Sequence, residues 1–435
     1  MDAVILAGGK GERLGRLTSN TPKPLIKIGN KPLLEHQIFL LKRSGVKNLW
    51  ILSGHLGDQI EDYFEDGERW GLRIHHLTEA VPLGTAGAMK QLELLVKDDF
   101  VLFSGDVMLD IDLYRLTKFH KAHKGSVATI VVHPNDHPFD SDLVETDTNN
   151  QVISFLVRKD KVHPKSLLFK NLTNAGIFIF SPEIFKYIKK KEKSDLEKDI
   201  FEAVLKSGGK IFAYNTPEYL KDVGTIARLK RVRADYSSGK ITRLNLKNKR
   251  KAIFLDRDGT INEHDGTHNV RFSSFKLYPF TAQAIKKINK SDFLAIVITN
   301  QPAIAKGFIR VEELDRIHKK METELGREGI KVDAIYYCPH HPEKGFYREL
   351  AELKINCSCR KPKIGMIRQA VRDFNIDLNS SYFIGDSTVD AECAKRAGLK
   401  FIAVETGYGL SDGRYAVPED TVVTRNLYRA VSMLL

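Results

Sequence analysis

The chain has 435 residues, 42% hydrophobic and 28% charged, the balance of an ordinary soluble protein with room for two or three domains. No run approaches the roughly 18 apolar residues of a membrane helix, and the start, Met1-Asp2-Ala3-Val4-Ile5-Leu6, lacks both the basic leader and the apolar stretch of a signal peptide, so no membrane partner and a cytoplasmic setting are expected. The net charge of +13 comes from scattered lysines (Lys189 to Lys191, Lys286-Lys287, Lys319-Lys320) without interleaved aromatics, which argues for a basic surface attractive to anionic small molecules and against a nucleic-acid partner.

In chain order, apolar runs predict strands at 3–7, 49–53, 100–103 and 127–132, with amphipathic helices at 33–43 and 58–64. Residues 143–157 alternate around Asp147-Thr148-Asn149-Asn150 and read as a hairpin. A further helix is expected at 196–206. The polar stretch 236–249 reads as a linker between a domain at 1–235 and another at 250–435. Beyond it, strands are expected at 252–255, 294–298, 334–337, 382–384 and 401–404, and helices at 311–325, 366–374 and 389–397. The alternation predicts two α/β domains, the first with a mainly parallel sheet. No repeat relates them.

The first strand runs into Gly8-Gly9-Lys10-Gly11-Glu12-Arg13. Glycines at the end of a parallel strand let backbone N–H groups cradle phosphate oxygens, and Arg13 adds a charge-assisted bond. The dinucleotide pattern G-x-G-x-x-G is broken by Leu14. Thr21-Pro22-Lys23-Pro24 holds a lysine between two prolines, which restricts its backbone. Leu83-Gly84-Thr85-Ala86-Gly87, Ser104-Gly105-Asp106, Asn174-Ala175-Gly176 and Asp222-Val223-Gly224 follow.

In this order the motifs resemble the nucleotidyltransferases that make NDP-sugars from an NTP and a sugar 1-phosphate, over about residues 2–235. The resemblance implies a Rossmann-like sheet in which Gly8, Gly9, Gly11 and Arg13 hold the triphosphate. It implies that Lys23 neutralises charge as pyrophosphate leaves and that Asp106 and Asp222 bind Mg2+. Gly84 and Gly87 would line the nucleotide and sugar pockets, and Asn174 would contact the sugar. Where the family has a Glu-Lys pair at the sugar phosphate, this chain reads Arg158-Lys159. Lys159 keeps the phosphate contact and Arg158 replaces the acid, which points to a shifted sugar preference or to weakened activity.

In the second half, Asp256-Arg257-Asp258-Gly259-Thr260 puts two carboxylates just after a buried strand, one able to attack phosphorus and the other to move protons. Thr299-Asn300 ends the next strand, Arg360-Lys361 supplies cations, and Gly385-Asp386 returns an acid. Between them, Cys338-Pro339-His340 and Cys357-Ser358-Cys359 form a Cys3His set suited to structural zinc, with His341 as the alternative imidazole. Cys393, in a helical stretch, reads as core.

This set is similar to the haloacid-dehalogenase superfamily of phosphatases over about residues 250–410, again a Rossmann-like fold. Beside the zinc loop it resembles the subgroup of heptose 1,7-bisphosphate 7-phosphatases and histidinol-phosphatases, which lack a large cap. The resemblance implies Asp256 as nucleophile, Asp258 as acid/base, and Thr299, Asn300 and Lys361 around the phosphoryl group. Mg2+ would sit between Asp256, Asp386 and the Asp258 carbonyl, and Arg360 would meet a second phosphate. Pro302-Ala303 stands where Ser-Gly is usual. Together the two resemblances imply a bifunctional enzyme of nucleotide-activated heptose synthesis. It would remove the 7-phosphate of heptose 1,7-bisphosphate and transfer a nucleotidyl group, GMP from GTP, to heptose 1-phosphate. Small-molecule partners and Mg2+ in both domains follow, and the number of copies in an assembly stays open. The alternatives are a nucleotidyltransferase for mannose, glucose or N-acetylmuramate 1-phosphate joined to a histidinol-phosphatase-like hydrolase, and a sensor or scaffold with one inactive head.

Overall fold

The computed structural model describes residues 1–79, 81–157, 163–164, 166–264 and 271–435. The chain splits into two compact units, each α/β as expected.

The first unit is built on the strand Asp2–Ala7, which pairs in parallel with Asn48–Ser53 and Phe100–Ser104. Its apolar run is buried on both faces: Ala3, Ile5 and Ala7 join one core cluster and Val4 the other. This period-2 division is what a central strand covered by helices on both sides requires. Arg73–Thr78 extends the parallel edge next to Asn48–Ser53. On the other side the sheet departs from the mainly parallel expectation. Thr173–Phe180 runs antiparallel between Phe100–Ser104 and Ser126–His133, and the hairpin Leu143–Thr146 with Val152–Leu156 is antiparallel too. The nine-stranded sheet is therefore mixed. A buried antiparallel strand has the same continuous apolar composition as a parallel one, so composition alone does not separate them.

A separate ribbon pairs Val107–Asp110 antiparallel with Tyr219–Asp222. Next to it, Glu218 is 5% exposed and takes three hydrogen bonds, from the Asp112 and Leu246 N–H groups at 2.7 and 2.8 Å and from the Thr216 hydroxyl at 2.8 Å. Burial pushes its carboxyl up to about 7, against the lowering effect of those donors. A carboxyl raised on folding contributes stability that is complete below its unfolded value and is lost as pH rises through the folded one. From pH 4.5 to 7 the loss is up to about 3 kcal/mol. Glu218→Gln keeps the acceptor for both N–H groups and does not ionise. In urea titrations at pH 5 and pH 8 the variant should therefore gain on wild type by about that amount at the higher pH; a gap independent of pH excludes it.

The 236–249 stretch, expected as a linker, carries the end of the helix Ile226–Ser237 and the short helix Lys240–Arg243. Ile241 and Leu246 are buried, so two apolar side chains in a polar stretch hold it to the first unit, which runs to Leu246. The second unit starts at Lys247 and also contains 134–140 and described residues of 160–171. There the buried Phe169 meets Phe139 edge-on at 5.2 Å, its N–H bonds Thr323 Oγ1 at 3.2 Å, and Lys170 pairs with Asp315 at 3.1 Å.

The sheet of the second unit is wholly parallel. Its order is Ala334–Cys338, Phe293–Asn300, Lys251–Leu255, Tyr382–Gly385, Lys400–Val404 and Val422–Thr424. The central strand again divides its side chains, Ile253 and Leu255 to one core and Ala252 and Phe254 to the other. Asp256, Thr299 and Asp386 follow or end three neighbouring strands, so their side chains gather at one carboxyl edge, where open parallel sheets bind ligands.

Candidate active sites

In the first unit the strand ends enclose a cavity of about 830 Å3, lined by Gly8, Gly9, Gly11, Arg13, Lys23 and Asp106 among others. The glycine turn is pinned where Thr18 Oγ1 donates to the Gly11 carbonyl at 3.0 Å. Lys23 is 6% exposed, and its Nζ donates to Asp106 Oδ2 at 2.6 Å. The lining thus combines the glycine turn with the cations Lys10, Arg13 and Lys23 and the acids Glu12, Glu79, Asp106 and Asp195. Three cations and four acids on one lining can hold a phosphate chain together with a divalent ion.

Not every residue expected there lines it. Gly84 does, at φ 77, but the space a Cβ would need is filled by the Ser194 carbonyl. Gly87 lies against the Glu192 carbonyl, 2.8 Å from where a Cβ would stand, and does not line the cavity. Both glycines serve close backbone packing. Asn174 is also outside the lining; its Nδ2 donates to Glu197 at 2.5 Å and its Oδ1 accepts from Gly176 N–H at 2.9 Å. Asp222 sits on Arg228 at 2.6 Å and accepts from Gly224 N–H at 2.9 Å. Burial raises its carboxyl, but the Arg228 bond and charge outweigh it and hold it low. The Val223 N–H bonds the Asp106 carbonyl at 2.8 Å, so the backbones carrying the two acids are adjacent. Arg158 and Lys159 lie outside the described residues. Glu79, Thr85 and Asp195 also line the cavity. Thr85 belongs to the Gly84 motif, whereas Asp195 carried no motif signal, since it reaches the cavity through the packing of the 192–196 stretch on the helix Gly84–Met89.

The second unit encloses a cavity of about 480 Å3 lined by Asp256, Asp258, Thr299, Asn300, Lys361 and Asp386 among others. Lys361 Nζ bridges Asp256 Oδ1 at 2.7 Å and Asp390 Oδ1 at 2.6 Å. Asp256, Asp386 and Asp390 bring carboxylate oxygens within 4.8 Å of one another. Burial and the Asp390 charge push Asp256 up to about 7 against Lys361, and burial with Asp256 and Asp390 raises Asp386. Three buried acids against one lysine lack positive charge, and a divalent cation fits that deficit. Asp390 is occupied on both sides. Its other oxygen accepts from Ser387 Oγ at 2.6 Å and Ser387 N–H at 3.2 Å in the capping box of the helix Thr388–Ala397. Asp390 therefore serves as an anchor for Lys361.

Asp258 faces its neighbour Arg257, which is fully buried and bonds both carboxylate oxygens at 2.8 and 2.9 Å. Gln301 adds a bond at 2.7 Å, and His318 Nε2 accepts from Arg257 at 3.1 Å. Burial would raise Asp258, but Arg257 and the Asn262 bond hold it below the usual range. Asn300 lines the cavity, yet its amide clasps the Lys361 backbone, Oδ1 accepting from N–H at 2.9 Å and Nδ2 donating to the carbonyl at 3.1 Å. It positions the lysine.

Cys338, His340, Cys357 and Cys359 converge with their ligand atoms within 4.8 Å. Sulfur–sulfur distances are 3.1 to 3.5 Å, and His340 Nδ1 lies 3.2 and 3.6 Å from two sulfurs. A tetrahedron with Zn–S of about 2.3 Å sets ligand atoms about 3.6 to 3.8 Å apart, so the set fits zinc with little movement. Bonds from Cys338 and its neighbours push Cys359 down to about 5, which favours a thiolate there. His341, the alternative imidazole, instead lines the cavity. Cys393 is buried in the core.

Residues 2–239 match the model of the nucleotidyl transferase family, and 358–430 that of the HAD-hydrolase-like family. The first half is similar to a UTP–glucose-1-phosphate uridylyltransferase of Synechocystis, 33% identical over 240 residues, 52% of this chain and 61% of that enzyme. It is also similar to a mannose-1-phosphate guanylyltransferase of Mycobacterium tuberculosis, 31% identical, covering 55% of this chain and 65% of that enzyme. The chain thus spans under two thirds of the length of these two relatives. The second half is similar to a D-glycero-beta-D-manno-heptose-1,7-bisphosphate 7-phosphatase of Haemophilus ducreyi, 37% identical over 166 residues, 37% of this chain and 87% of that enzyme. No helix among the described residues is long and apolar enough to cross a membrane.

Proposed function

Since the chain belongs to the nucleotidyl transferase family through its first half and to the HAD-hydrolase-like phosphatases through its second, we propose that it carries out two consecutive steps on one sugar. The second unit removes the 7-phosphate of D-glycero-D-manno-heptose 1,7-bisphosphate. The first transfers a nucleotidyl group, GMP from GTP, to the heptose 1-phosphate so produced and releases pyrophosphate. The observation that carries this reading is chemical continuity. The second half is closely similar to an enzyme named for removing the 7-phosphate of that bisphosphate, and what such a reaction leaves is a sugar 1-phosphate, the substrate class of the first half.

In the phosphatase unit, Asp256 attacks phosphorus while Lys361, clasped by Asn300, holds the phosphoryl oxygens with Thr299. The P–O bond to the sugar breaks and the leaving oxygen takes a proton from Asp258. Asp258 then takes a proton from the water that opens the aspartyl-phosphate. The low carboxyl of Asp258 suits the second half-reaction; the first needs it protonated and turned from Arg257. Asp256, Asp386 and the Asp258 carbonyl would hold Mg2+, which supplies charge neutralisation. In the transferase unit, Gly8, Gly9, Gly11 and Arg13 hold the triphosphate, and Lys23 follows the developing charge on the α-phosphate. Asp106 and Asp222 would hold Mg2+ there.

Incubation with heptose 1,7-bisphosphate and each NTP in turn tests both steps, sugar and base together. NDP-heptose with GTP is the expected product. Its absence with every NTP, despite phosphate release, overturns the coupling.

Zinc in the Cys3His loop is expected at about one per chain by metal analysis, and Cys357→Ala should lose it. Because the loop adjoins Arg360, the same variant should lose phosphate release while pyrophosphate release persists. Full zinc content in the variant removes Cys357 from the ligand set.

A further inference from the structure

The loop after Val404 is fixed at two points beside the phosphatase cavity. At its start, Tyr408 N–H donates to Asp386 Oδ2 at 2.7 Å, Leu410 N–H to the Asp386 carbonyl at 2.7 Å, and Thr406 Oγ1 to the Gly259 carbonyl at 2.7 Å. Gly407 has φ 63, and a Cβ there would overlap the Asp386 carboxylate, so the chain lies directly against the acid cluster. At its end, Asp412 accepts from the Thr388 N–H at 2.7 Å and the Thr388 hydroxyl at 2.8 Å. Thr388 Oγ1 in turn accepts from the N–H groups of Arg414 and Tyr415, both at 3.1 Å. A polar side chain that receives and gives in this way sets the backbone of Arg414 relative to the helix Thr388–Ala397.

Arg414 lines the cavity with Lys306 and Arg360. Elsewhere in that lining Lys361 is paired with Asp256 and Asp390, Arg396 with Glu392 and Asp258 with Arg257, and the Asp412 carboxylate is held by two hydrogen bonds from Thr388. Among the described residues, no carboxylate lies within ion-pair distance of Lys306, Arg360 or Arg414. Lys306 is 5% exposed and stands 4.6 Å from the Phe346 ring centroid, and the Arg360 guanidinium donates to the His340 carbonyl at 3.3 Å. Three cations outside ion pairs on one lining, with the Glu343 carboxylate acting on Lys306 and Arg360 from beyond ion-pair distance, leave an excess of positive charge that suits an anion.

We propose that Arg414, held by the Asp412–Thr388 latch, is a specificity-determining residue that binds the second phosphate of a sugar bisphosphate together with Lys306 and Arg360. The assignment rests on the phosphatase reading of this cavity and adds to it the element that separates bisphosphates from monophosphates. Arg414 touches the phosphate that is not cleaved, and Asp412 and Thr388 are positioning residues.

The test is steady-state phosphate release by the full chain from heptose 1,7-bisphosphate and from heptose 7-phosphate, for wild type, Arg414→Ala and Arg414→Lys. Loss of one charge-assisted contact should raise KM for the bisphosphate about ten- to hundredfold. Turnover of the monophosphate should not change, and the lysine variant should recover part of the loss. An unchanged KM for the bisphosphate, or an equal rise for both substrates, overturns the assignment. If wild type hydrolyses neither ester, the phosphatase reading falls. Calorimetric titration with the bisphosphate then still tests the site: weaker binding by Arg414→Ala supports it and equal binding overturns it.

Discussion

Asp256→Asn should abolish phosphate release and leave pyrophosphate release at the wild-type rate. The side chain keeps its size, so the cavity, the Lys361 anchor on Asp390 and the fold remain. What disappears is the atom that bonds to phosphorus. Losses on removing a nucleophile are roughly 10^4-fold or more in rate, because no neighbour substitutes for the covalent step. Asp390 shares Lys361 with Asp256, but its two oxygens are held by Lys361 and Ser387. Phosphate release is measured from heptose 1,7-bisphosphate and pyrophosphate release from GTP with heptose 1-phosphate. The melting temperature serves as the folding control. Phosphate release at the wild-type rate would remove Asp256 from the mechanism.

Lys23→Ala should have the opposite selectivity. The lysine is buried against Asp106 at 2.6 Å, on the wall where the triphosphate is expected. A cation pre-placed at a transferring phosphate acts without reorganisation, and its removal costs about 10^2 to 10^3 in kcat. The stability cost is expected to be small, because the Asp106 side chain is 41% exposed and water can solvate the carboxylate left behind. Pyrophosphate release should fall by that factor while phosphate release is unchanged. A rise in KM for the NTP with kcat intact would mean that Lys23 binds the ground state only.

Much of this arrangement was legible along the chain because it rests on local rules. Ala3 to Ala7 must form a central strand, since five successive small or apolar residues leave no polar face. The loops at Gly8 and Asp256 follow buried strands, so their placement at a sheet edge came with the strand assignment. The Cys338, His340, Cys357 and Cys359 spacing implied convergence, and their ligand atoms do converge. The polar 236–249 stretch was misleading for a local reason as well. Its composition is that of a linker, and the burial of Ile241, Asn245 and Leu246 reveals that it packs.

Side-chain direction was a different matter. Asn174 and Asp222 occupy the expected motifs, yet one turns to Glu197 and the other to Arg228. Asn300 sits beside Thr299 but clasps the backbone of Lys361, 61 residues away. Arg257 reads as a spacer between two aspartates; its burial on His318 and its grip on Asp258 arise when a distant helix covers the strand end. Arg414 carries no motif at all, and only the Asp412–Thr388 latch sets it at the cavity.

Hydrophobic periodicity and glycine spacing thus sufficed for two α/β units, their strand ends and the chemical classes gathered there, because those follow from interactions between near neighbours. The antiparallel insertion of Thr173–Phe180, the membership of residues 134–140 in the second unit and the partners of each charged group needed the folded chain. Hydrogen bonds and ion pairs act over a few ångströms, and which groups come that close is settled by packing between segments far apart in sequence.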